Sequence, residues 1–286
     1  MRAYASAHVQ ADEQKFEEKS KIMLQTVMAT RYIRQMTKGK TKPFLVECED
    51  ANGNFVEVIA KCSEGTFEGV KNLAIEAIAA MLGRDLDLPV PQPFVVQLDD
   101  DFISSVSDPM IRQFMNDSCR FAFGSELLPA GNAAWPTGGT VAAALCERAA
   151  EIFVFDGIIV NSDRRPQNPN CLFDGAGFGI FDHELTFQQH QILFWKAPWI
   201  HGGFDQMHGP QLHIFSRPYL EQSPNNLDRF VNAWNSLPGS QFNDYIDALP
   251  PDWKTNNAFL TGVAAYLDTA RQNIDAIVQT ALGVLQ

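Results

Sequence analysis

Three residues invite a chemical reading first: Asp163, Asn168 and Asp182. They punctuate the stretch "FDGIIVNSDRRPQNPNCLFDGAGFGIFDHELTF", residues 155–187, where apolar runs alternate with polar loops. Asp163 and Asn168 lie five residues apart in "NSDRRPQN". The apolar pair Leu172-Phe173 then leads through the turn "DGAG" into "FGIF", which delivers Asp182. A hairpin of that length returns Asp182 close to where the loop began, so Asn168 and Asp182 can share an ion. Phosphoryl transfer asks for such parts: a carboxylate to orient the attacking hydroxyl, ligands for Mg²⁺, and a cation on the nucleotide phosphates. Mg²⁺ takes oxygen ligands, commonly one or two protein groups completed by phosphates and water. The bland competitor is a pair of well-capped turns.

The elements that must position these residues follow from the apolar pattern. Residues 1–21 are a polar leader. From Leu24, "LQTVMATRYIRQM", "KPFLVECED" and "FVEVIAK" are separated by turns at "TKGKT" and "ANGN", which predicts an antiparallel meander. Val70, Leu73, Ala74, Ala77, Ile78, Met81 and Leu82 recur at helical spacing, and Gly83 is expected to stop that helix. "FVVQLDD" and "RFAFGSELL" are two more strands. Beyond "PAGNAAWPTGG" the pattern turns helical. A helix starts near Thr140 as its cap, with Glu147 and Glu151 on its polar side; another covers "NLDRFVNAWNSL". A closing helix carries the stripe Leu260, Val263, Ala264, Leu267, Ile274, Ile277, Val278 and Ala281. The expected organisation is therefore a leader over 1–21, a lobe of strands plus one helix over 22–128, and a helical lobe over 129–286 that carries the loop and hairpin. A cleft between two such lobes is the natural place for a ligand.

Composition narrows the partners. With 286 residues and a formal charge of -12, the chain can bury a real core beneath an acidic surface. That surface argues against direct nucleic-acid binding and against anionic membranes, and no segment approaches a membrane span. The five cysteines are scattered and form no C-x-x-C, as in a reduced cytoplasmic protein. His201, His208 and His213 have no zinc-site spacing and read as structural or substrate-contacting. Asp156, inside an apolar run, would be costly unless hydrogen-bonded, so it reads as a support of the loop.

The pattern D-G-x-I-x-N-x-D-R-x-x-x-N-P-N-x-L, a short gap and I-x-D-H-E resembles the HipA-like kinases, atypical members of the protein-kinase superfamily. It runs here through Asp156, Gly157, Ile159, Asn161, Asp163, Arg164, Asn168, Pro169, Asn170 and Leu172 to Asp182, His183 and Glu184. "KPFLVE", "VIAK", "AIEAIAAMLGRDLDLPVPQP" and "FAFGSELL" are similar in order. The resemblance implies an α+β, two-lobed protein-kinase-like fold with a small antiparallel-sheet N-lobe and a mainly helical C-lobe. It implies Asp163 as the catalytic carboxylate, Asn168 and Asp182 as metal ligands, and Lys61 as the lysine of the nucleotide phosphates. Glu76 is its expected helix partner, although on a helical wheel Glu76 falls opposite the apolar stripe. Glu126, Leu127 and Leu128 fall where backbone groups grip adenine, and Asp156, Asn161 and Arg164 support the loop. ATP and Mg²⁺ are the implied cofactors, and a Ser or Thr hydroxyl of a protein the implied acceptor. In the best-known relatives the kinase is a toxin, which brings an antitoxin or regulatory partner protein into view. No G-x-G-x-x-G loop is present, and "TKGKT" stands in its place. A pseudokinase, a lipid or small-molecule kinase, and an AMP transferase are the rival readings.

Overall fold

The computed structural model describes residues 24–37 and 39–286. The polar leader over 1–21 and Lys38 of "TKGKT" lie outside the described residues. Strands β1 (Gln25–Gln35), β2 (Phe44–Glu49) and β3 (Phe55–Lys61) form the expected meander. Strand β4 (Pro93–Gln97) pairs with β5 (Phe121–Glu126), and β5 with β3. The purely antiparallel expectation is corrected at one ladder: β1 runs parallel to β4, and that pairing closes the sheet into a five-stranded barrel. Alternation fills its interior with Val27, Phe44, Val46, Cys48, Val58, Ala60, Phe94, Val96 and Ala122.

Helix α1 (Val70–Asp85) packs on the outer face of β4 and β5. It runs on past Gly83 rather than stopping there. Gly83 is a place of close approach: a Cβ would come within 2.7 Å of Val90 Cγ2 and 3.3 Å of the Phe155 ring. Two short helices between β4 and β5, α2 (Asp100–Ser105) and α3 (Pro109–Asn116), correct the expectation of one helix before residue 128. Both begin on aspartate caps, Asp99 and Asp108. Their apolar residues, Phe102, Ile103 and Met115, join the barrel's interior cluster.

Strand β6 (Ala133–Ala134) precedes helix α4 (Cys146–Ile158), and β6 pairs with the hairpin β7 (Cys171–Phe173) and β8 (Phe178–Ile180). Thr140 is not a cap, because the chain from Ala143 to Leu145 is a 3₁₀ turn and α4 starts only at Cys146. Glu151 is buried rather than on a polar face, where Arg148 and Arg229 meet it. Helices α5 (Asp228–Ser236) and α6 (Gln241–Ala248) follow, the second without a prior sequence signal. The single closing helix is two, α7 (Asn257–Gln272) and α8 (Ile274–Leu285), broken at Asn273. One large cluster, from Leu73 on α1 to Leu285 on α8, makes their common core. Among the described residues no helix is long and apolar enough to cross a membrane.

Candidate active site

Lys61 ends β3 on the outer face of the barrel, because its neighbours Ala60 and Cys62 point inward. Its Nζ lies 2.9 and 2.8 Å from the two carboxylate oxygens of Glu76, 2.6 Å from Asp182 Oδ1 and 3.3 Å from Glu184 Oε2. Glu76 reaches it although it lies opposite the apolar stripe, because α1 is covered on all sides: every residue from Asn72 to Gly83 is buried. Burial alone would lower the lysine's pKa; Asp182, Glu76 and Glu184 outweigh it and raise it. Burial pushes the Glu76 carboxyl up, with Asp182 and Glu184 adding to the rise against Lys61. Asp182 goes down, because the ammonium outweighs its burial.

Asp182 has a left-handed backbone, φ 65°, uncommon for a residue with a Cβ and found where surrounding structure fixes it. Its segment is tied to α1 by the side chain of Asn72. Asn72 Nδ2 donates to the Glu184 carbonyl at 2.6 Å, and Asn72 Oδ1 accepts from the Glu68 N–H at 2.6 Å. Sequence reasoning gave neither Asn72 nor Glu184 a role. The signal available was a lone amide within the apolar pattern of "VKNLAIEAIAAML", which must be hydrogen-bonded if buried.

Asp163 sits in the loop after α4, accepting from Asn168 Nδ2 at 2.7 Å, Arg165 Nη2 at 3.1 Å and Asn170 Nδ2 at 3.4 Å. The loop is held from below by a buried knot. Asp156 accepts from Asn161 Nδ2 at 2.8 Å and from Arg164 Nε at 2.6 Å. His213 Nε2 lies 3.0 Å from Asp156 Oδ2, while His213 Nδ1 accepts the Phe215 N–H at 3.1 Å, so the ring proton sits on Nε2. Arg164 also donates to the Asn170 carbonyl and to His183 Nε2, the latter at 3.0 Å. All four side chains, Asp156, Arg164, His183 and His213, are essentially inaccessible. Burial pushes His183 down to about 3, with Arg164 adding to the fall. Burial would raise Asp156, but Arg164 and His213 outweigh it and hold the carboxyl well below its ordinary range.

The backbone N–H groups of Glu126 and Leu127 are already engaged, by the carbonyls of Gln92 and Glu57, each at 2.9 Å. Leu128 N–H has no acceptor among the described residues. Leu128 packs on β8 at Gly179, where a Cβ would approach Leu128 Cδ1 to 2.6 Å. The structure thus brings Lys61, Glu76 and Asp182 to one point, sets Asn168 on Asp163, and places Asp156, Asn161 and Arg164 beneath the loop. These are separate groupings, and Asn168 and Asp182 each hold a different partner. Carboxylate oxygens of Glu76, Asp182 and Glu184 lie within 4.8 Å of one another around Lys61 Nζ, an all-oxygen set of the kind a hard divalent cation such as Mg²⁺ takes.

The profile of a family described as HipA-like kinase matches residues 29–282. The chain belongs to the HipA-like kinase family. Residues 61, 76, 163 and 182 all fall inside the span matched by that family. Among solved structures, a proinflammatory kinase, CtkA, from Helicobacter pylori is 11% identical over 91% of this chain and 99% of its own, with a TM-score of 0.48. A MAP kinase from Leishmania major is 10% identical over 90% of this chain and 84% of its own, with a TM-score of 0.29. No curated protein matches the chain.

Proposed function

We propose that this HipA-like kinase transfers phosphate from ATP to a Ser or Thr hydroxyl of a protein substrate, in a Mg²⁺-dependent reaction between a barrel lobe and a helical lobe. The observation that carries this reading is the gathering of Lys61, Glu76 and Asp182, from three distant segments, at one ammonium. Glu76 holds Lys61 extended, so its charge is in place for the nucleotide phosphates before they arrive. Leu128 N–H, without an acceptor among the described residues, is the donor for the adenine edge, beside the packing of its side chain on Gly179. Asp163 orients the acceptor hydroxyl and takes its proton as the Oγ–P bond forms and the bond from the γ-phosphorus to the β–γ bridging oxygen breaks, releasing ADP. Asn168 and Asp182 would hold Mg²⁺, which when bound supplies neutralisation of the phosphate charge. Asp156 and Arg164 act on none of these groups directly; they fix the loop that carries Asp163. An antitoxin-like or other regulatory protein is the partner this family reading brings with it.

The test compares phosphoproteomes of cells expressing wild type and Asp163→Ala, paired with intact-mass measurement of any modified protein. Asp163→Ala is partly exposed on a polar loop and should keep the fold. Phosphosites present only with wild type, each adding one phosphate mass, are expected. Equal phosphorylation by the variant defeats the role of Asp163, and an AMP-sized addition replaces the phosphotransferase reading.

A further inference from the structure

Alternation and register decide which side chains share the face of Lys61. Ile59, two residues before it, points the same way. Ile59 stands opposite Leu45 on β2, and Leu45 opposite Arg34 on β1. Residues directly opposite one another share a face. Strand β1 brings Arg34 there only through irregular register: the ladder shifts between Ala29 and Arg31, and again between Tyr32 and Arg34. A bulge of this kind inserts one residue and re-aims those after it. Without the second shift Ile33 would face Leu45, and Arg34 would turn into the barrel beside Phe44.

The guanidinium then runs along the strand toward the hairpin. Arg34 Nη1 lies 3.3 Å from Met36 Sδ, and Met36 N–H bonds the Pro43 carbonyl at 2.8 Å. Met36 and Pro43 are one step beyond the Phe44–Ala60 pair, in the row that Lys61 ends. Two strand spacings, about 10 Å, separate β1 from β3. The guanidinium and the ammonium therefore stand on one face two strands apart, a separation that a polyphosphate chain can bridge.

Charge gives an independent reason. Arg31, Arg120, Arg148, Arg164, Arg165, Arg229 and Arg271 all meet carboxylates. Arg84, Arg112 and Arg217 donate to backbone carbonyls. Among the described residues only Arg34 meets neither, touching just the thioether. In a chain of net charge -12, that leaves an exposed guanidinium with no anion among the described residues, on the face of the phosphate lysine. The β1–β2 connection also lacks the glycine pattern whose backbone amides would otherwise cradle phosphates.

We propose that Arg34 is a polyphosphate-binding residue of the nucleotide site, supplying with a guanidinium what a glycine-rich loop supplies with amides. The inference rests on the kinase reading above and adds a residue to it. A guanidinium suits the role because its forked donors match phosphate oxygens. Calorimetric titration of ATP with Mg²⁺, and separately of adenosine, into wild type, Arg34→Gln and Arg31→Gln tests it. Loss of a charged hydrogen bond should weaken ATP about ten- to a hundredfold in Arg34→Gln. Adenosine affinity should stay within about twofold, because adenosine carries no phosphate, and Arg31→Gln should match wild type. An unchanged ATP affinity in Arg34→Gln overturns the assignment, as does an equal loss for ATP and adenosine. A wild type that binds neither ligand defeats the kinase reading itself, which separates the two failures.

Discussion

At Lys61 a single ammonium bonds three carboxylates, and this makes the consequences of substitution depend on order. Removing one member of a buried ion pair costs several kcal/mol, because the remaining charge has lost its partner in a poorly solvated place. Lys61→Met should therefore destabilise the chain by about 2–4 kcal/mol, leaving Glu76, Asp182 and Glu184 to repel one another. Glu76→Gln in the wild-type background removes an attractive contact and should cost about 1–2 kcal/mol. In the Lys61→Met background the same change removes a repulsive charge and should restore stability. Denaturant unfolding of the four proteins reads the coupling, which should exceed about 1 kcal/mol. An identical effect of Glu76→Gln in both backgrounds would separate the two residues.

Among the elements, α4 shows how backbone and side chains share the task of placing Asp163. Asp156, near its C-terminal end, anchors the loop, and the Asn161 N–H caps the helix by bonding the Asp156 carbonyl at 2.8 Å. Gly157 beside it admits the ring of Phe204, which stacks on Phe153 with centroids 5.5 Å apart. An exposed Gly→Ala change inside a helix ordinarily gains about 1 kcal/mol. Here the new Cβ would overlap the Phe204 ring, so Gly157→Ala should instead lose about 1–3 kcal/mol. Phe204→Leu should cost less in that background than in wild type. A stabilised Gly157→Ala protein in thermal unfolding would show that the ring has room to move. The apolar runs around Asp156 and the loop pattern after them were legible in the sequence, because both are local. Phe204 was not, since its contact with Gly157 spans a segment with neither helical nor strand periodicity. The same reason hid the β1–β4 pairing: parallel closure of a barrel depends on strands far apart in the chain.

Over the whole molecule, the buried polar knot within the helical region makes acid stability predictable. The sequence marked Asp156 as a residue needing a partner, and the structure supplies Arg164, Asn161 and His213. His213 was legible only as one of three similar histidines, because its partner lies fifty-seven residues away. Burial lowers the pKa of His213, and Asp156 only partly offsets that fall. A histidine depressed on folding binds its proton more readily in the unfolded chain, so stability falls as pH drops below the unfolded value near 6.5. Asp156 acts lower down: its depressed carboxyl contributes stability above its unfolded value near 3.8, and that contribution is lost as pH falls through the folded pKa. The first window, from about pH 6.5 to 5, therefore includes His213 and His183 and excludes Asp156. Each such imidazole contributes at most about 1.4 kcal/mol per pH unit to the slope there. His213→Asn should lower stability at neutral pH, since it disturbs the Asp156 contact, yet flatten the dependence between pH 6.5 and 5. Urea unfolding at closely spaced pH values measures that slope apart from the absolute stability. If His213→Asn keeps the wild-type slope, His213 is already free to take its proton in the folded chain and is not the acid-sensitive group of the knot beneath Asp163.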